Sequence, residues 1–71
     1  MNQRSYRQAM DLASAVISEA RTLNVELDLR YAYASLRRKA LAEGVSRQSH
    51  CYGWAEQALR RAVLSGSWRT A

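Results

Sequence analysis

The stretch 5–23, SYRQAMDLASAVISEARTL, decides the fold. Within it Tyr6, Ala9, Met10, Ala13, Val16, Ile17 and Ala20 recur every three or four positions. On a wheel of about 100° per residue they form one apolar stripe, which Leu12 and Leu23 widen. Ser5 followed three positions later by Gln8 has the form of a capping box, in which each side chain satisfies a backbone N–H of the first turn. The spacing therefore predicts a helix over about 6–23. It should close near Asn24, a residue type that accepts the left-handed geometry of a helix end.

Two further helices follow from the same rules. Asp28 is an N-cap candidate, and Leu29, Ala32, Tyr33, Leu36 and Ala40 then mark the buried face of a helix over about 29–43. Gly44 with apolar Val45 behind it is the pattern of a glycine C-cap and its hydrophobic contact. A third helix, over about 47–64, is capped by Ser46 or Ser49 and faces inward with Cys51, Ala55, Ala58, Leu59 and Ala62. Tyr52 and Val63 border that face on one side and Trp54 on the other. Gly53 lies inside this helix, where it costs about 1 kcal/mol relative to alanine unless a backbone or ligand approaches closely. Ser65-Gly66-Ser67 ends the helix, and Trp68 can fold back onto its last turn. The expected architecture is an all-α three-helix bundle forming a single domain over 1–71.

Composition sharpens this expectation. Twelve of the 71 residues are alanine, phenylalanine and proline are absent, and there is a single cysteine. Alanine buries little area and small domains bury proportionately less surface, so the core must be thin; homodimerisation is the expected source of further burial. One Cys and one His assemble neither a disulfide nor a zinc site, so no metal or cofactor is expected. No uncharged run approaches the ~20 residues that cross a bilayer. Asp11 and Glu19 interrupt any signal-like core, and with the unpaired thiol this points to a cytoplasmic location.

The net charge of +5 is unevenly spread. Residues 1–28 sum to −1 and residues 29–71 to +6, with ten of the eleven cations arginine. The guanidinium fork suits phosphate, carboxylate and aromatic partners. Adjacent helix positions diverge by about 100°, so His50 and Cys51 cannot form a thiolate–imidazole pair on a regular helix. Phosphate loops and paired-carboxylate signatures are also missing, and no enzyme is expected. Nucleic-acid binding is the leading expectation, with Arg30, Arg37, Arg38, Lys39, Arg47, Gln48, Tyr52, Arg60 and Arg61 as candidate contacts on helices two and three.

Ala40, Gly44 and Val45 match the spacing of a helix-turn-helix, which would bring Arg47, Gln48, Ser49 and Tyr52 to a DNA groove. Lys39, Glu43, His50 and Gly53 occupy positions where that motif has buried aliphatics. Ala32-Tyr33, Leu36-Arg37-Arg38, Ala40-Leu41 and Gly44 also resemble the central helix of the ANTAR family of dimeric RNA-binding antiterminator domains. That resemblance implies an RNA target. It lapses upstream, where the connector before Ala32 is short, and downstream, where His50-Cys51-Tyr52-Gly53-Trp54 replaces an apolar helix.

A second class of function uses the same surface. Tyr and Arg dominate protein hot spots, and phages and mobile elements encode compact chains of this kind as adaptors or inhibitors of an acidic host protein. Tyr31, Ala34, Leu41, Trp54, Leu64 and Trp68 are the candidate interface residues for a protein partner or a second copy.

Overall fold

The computed structural model describes residues 3–69, which form α1 (Gln3–Leu23), α2 (Leu29–Ala42), α3 (His50–Ser65) and a final 3-10 turn (Ser67–Arg69). No strand occurs among these residues. The three helices pack pairwise around one core. Its members are Ala9, Leu12, Ala13, Val16 and Ala20 from α1, Ala32, Leu36 and Ala40 from α2, and Cys51, Tyr52, Ala55, Leu59 and Ala62 from α3. Leu27 from the first connector and Trp68 from the final turn complete it. Alanine supplies much of this core, as the composition requires, and the larger side chains fill what remains around it.

Helix ends follow the local chemistry. Asn24 adopts φ 56 and Gly44 φ 70. In both cases the next residue's N–H returns to the helix, Val25 to the Ala20 carbonyl at 3.0 Å and Val45 to the Ala40 carbonyl at 2.8 Å. These are Schellman closures, each satisfying carbonyls that the helix end leaves open. Asp28 accepts from the Tyr31 N–H at 2.7 Å and Ser49 from the Tyr52 N–H at 3.1 Å, fixing the starts of α2 and α3.

Some boundaries and core assignments differ from the sequence expectation. α1 begins at Gln3, so Ser5 lies within the helix. The supposed capping partner Gln8 instead donates across the bundle to Glu43 at 3.2 Å, and no proline or glycine upstream stops the helix earlier. α3 begins at His50 rather than 47, because the Ser46 hydroxyl accepts the Gln48 N–H in a local turn and leaves the capping role to Ser49. Tyr6 is 51% exposed and Leu23 60%, while Ser35 is buried in α2 and Tyr33 only half-buried. Among the described residues no helix is long and apolar enough to cross a membrane.

Candidate nucleic-acid interface

The buried Ser35 marks where the two oppositely charged parts of the chain meet. Tyr31, Ser35 and Lys39 recur every four residues and so share one stripe of α2, facing Glu19 on α1. The Glu19 carboxylate accepts from the Tyr31 hydroxyl, from Ser35 Oγ at 3.2 Å and from Lys39 Nζ at 2.6 Å, and Arg38 lies at 3.4 Å. The Lys39 bond, followed by that of Tyr31, holds Glu19 down at about 2, against its ordinary 4.5, although partial burial opposes this. The same bond raises the Tyr31 hydroxyl above its usual value. Three α2 cations or donors are thereby absorbed internally, which corrects two expectations. Lys39 is half-buried in an ion pair and is not a free phosphate contact, and the Tyr31 hydroxyl is committed to α1.

Tyr52 and Trp68 are also corrected. Tyr52 is 3% exposed, so its ring is core and not available to stack on a base. Burial and then the Glu56 charge raise its hydroxyl, while the Arg47 and Arg37 charges and a hydrogen bond from Arg47 pull the other way. Trp68 is 8% exposed, its carbonyl accepting from Arg21 Nε at 2.9 Å. The Arg69 guanidinium lies 4.7 Å from the Trp68 ring centroid and pairs with Glu26. Tryptophan at this point closes the end of the bundle rather than an intermolecular contact. Trp54 is half-buried, edge-on to Tyr6 and His50 with centroids 5.9 and 6.1 Å away, and Ala34 is likewise half-buried.

What stays on the surface is a smaller and more sharply located set. Arg30, Arg37, Arg47, Gln48, Arg60 and Arg61 are exposed, as are Leu41 and Leu64 at 82% and 67%. Arg38 is exposed too, but it shares Glu19 with Lys39. Arg37, Leu41, Val45, Ser46, Arg47 and Gln48 line one open groove of about 430 Å³ where the end of α2 meets the α2–α3 connector. The Schellman closure at Gly44 builds it, since turning the chain back there carries Arg47 alongside Arg37. Val45 and Ser46 were not singled out in the sequence as contacts. The signal for them was their place directly behind the capping glycine.

The connector between α2 and α3 covers 43–49, against roughly three to four residues in a helix-turn-helix. Arg47 and Gln48 consequently stand in the connector and not on a recognition helix. Cys51 is buried, which pushes its thiol up from the ordinary value, with Glu43 adding to the effect. Comparison with family models, curated proteins and solved structures finds no match, so the functional reading rests on the chain's own geometry.

Proposed function

We propose that this chain is a small basic regulatory protein that binds nucleic acid through the arginine-rich surface of α2, the α2–α3 connector and α3. One observation carries the reading. Among the described residues the ion pairs are Arg38 and Lys39 with Glu19 and Arg69 with Glu26; Arg30, Arg37, Arg47, Arg60 and Arg61 of the second part of the chain are exposed and in no ion pair, as is Arg7 of α1. Five exposed guanidinium groups on neighbouring elements exceed the two nearby carboxylates, Glu43 and Glu56, and a phosphate backbone can neutralise the excess with release of its condensed counterions. The proposed assembly is a homodimer, which would add burial to a thin alanine-rich core.

The test is fluorescence anisotropy of labelled duplex DNA, duplex RNA and single-stranded RNA of random sequence. Binding at about 50 mM salt should weaken by roughly 10²–10³ on raising salt to about 200 mM, the loss expected for four or five phosphate contacts. A folded, monodisperse protein that binds none of the three at the lower salt overturns the reading. A second reading, an adaptor docking on an acidic protein, is favoured by Leu41, which lies in the groove beside Arg37 and Arg47 and contributes nothing to phosphate contact. A stoichiometric partner captured from lysate after nuclease treatment, and lost with Leu41→Glu, supports that reading instead.

A further inference from the structure

Gly53 has no intramolecular reason to be glycine. The positive-φ glycines are Gly44 and Gly66, so Gly53 has no conformational need for a missing side chain. A Cβ built on Gly53 meets nothing within 4 Å, so no neighbouring element demands the space. It nevertheless sits in the second turn of α3, where glycine is the poorest helix former apart from proline. The remaining physical use of a bare backbone at such a point is close approach by something outside the chain.

The surroundings of Gly53 specify what approaches. On the helical wheel it shares an outward stripe of α3, about 100° wide and opposite the buried face, with His50, Gln57, Arg60, Arg61 and Leu64. All five are exposed and none is acidic; Glu56, the one carboxylate of α3, is half-buried and borders this stripe on its Tyr52 side, one turn before Arg60. Arginine reads guanine, glutamine reads adenine, and an aliphatic side chain packs on the thymine methyl. A helix of 16 residues is about 24 Å long and fits the roughly 12 Å wide major groove of B-form DNA, whereas the A-form RNA major groove is too narrow to be read by side chains.

Building on the nucleic-acid reading above, we propose that the outward face of α3 enters the major groove of duplex DNA, with Gly53 as the point of closest approach, Gln57, Arg60, Arg61 and Leu64 facing base edges, and the Arg37–Arg47 groove holding a flanking phosphate strand. The recognition element is then displaced from the helix-turn-helix register. Base contacts fall along the second half of α3, and the connector residues Arg47 and Gln48 serve the backbone.

Gly53→Ala separates the alternatives, because it acts in opposite directions on stability and on binding. The variant should melt about 4–8 °C higher, as expected for removing an unneeded helical glycine from a domain of this size. Its affinity for a random-sequence duplex of about 20 base pairs should fall by ~tenfold, since a methyl group now occupies the contact. A more stable variant with unchanged duplex affinity overturns the proposal. Gln57→Ala is the second arm. Selection from a random duplex pool should return a weaker sequence preference than wild type, with the salt dependence retained, and an unaltered preference overturns base reading by this face. Wild-type protein that binds single-stranded RNA but not duplex DNA overturns the α3 proposal and leaves nucleic-acid binding standing, whereas loss of all binding removes both.

Discussion

Glu19 shows how one side chain fixes the relation of two helices. Its carboxylate satisfies the hydroxyls of Tyr31 and Ser35 and the ammonium of Lys39, and this is what allows Ser35 to be fully buried in an otherwise apolar face. Because the folded-state value of Glu19 is lowered from 4.5 to about 2, its stabilisation is complete above pH 4.5 and is lost as pH falls toward 2. Glu19→Gln should cost about 1–2 kcal/mol at pH 7, since it removes the charge from several hydrogen bonds at once. It should also flatten the decline of stability between pH 4.5 and 2, which urea unfolding at pH 7, 4.5 and 3 will measure. An equally steep acid limb in the variant would assign that decline to other carboxylates. None of this was legible in the sequence. Glu19 sits beside the apolar stripe of α1 and Lys39 among the α2 arginines, and their pairing depends on how two helices are set against each other.

At the scale of elements, caps carry most of the information. Asp28, Gly44 and Asn24 were readable as boundary residues because their roles depend on φ and on hydrogen bonds within a few positions. Gly44 has φ 70 and open space around its Cα, so the cost of a side chain there is wholly a backbone cost. Gly44→Ala should destabilise the fold by about 1 kcal/mol, read as a lowered denaturation midpoint with an unchanged slope. It should also weaken nucleic-acid binding beyond what stability explains, because the closure at Gly44 brings Arg47 beside Arg37. Where two residues competed for a cap, sequence spacing could not decide. Ser46 and Ser49 are chemically equivalent candidates, and the choice fell to Ser49 once Ser46 was engaged by Gln48. Ser5 with Gln8 fitted a capping box equally well, yet Gln8 found a partner in Glu43, the C-cap of α2.

The whole molecule measures 31 × 21 × 17 Å, so one copy covers at most about one turn of a duplex, roughly 34 Å. Within that footprint only a few phosphates can be reached, and each should be visible in the salt dependence. Replacing Arg37 and Arg47 together by alanine should lower the slope of log affinity against log salt by about 2 while leaving the fold intact, as circular dichroism will check. Arg38→Ala should change the slope less, since that guanidinium already shares Glu19. Equal effects from the two variants would mean that the groove is not the phosphate site.

The sequence by itself determined that the chain is helical, where its three helices lie to within a few residues, and that its surplus positive charge belongs to the second part. These properties arise from periodicity, caps and composition, each of which acts over one or two helical turns. Only the tertiary structure decided which cations remain available. Glu19 takes up Lys39 and part of Arg38, Glu26 takes up Arg69, and Tyr52 and Trp68 go into the core. Those pairings join residues nineteen or more positions apart or depend on which side of a helix faces its neighbour. Packing in three dimensions sets them, because ion pairing and burial depend on distance in space and not along the chain.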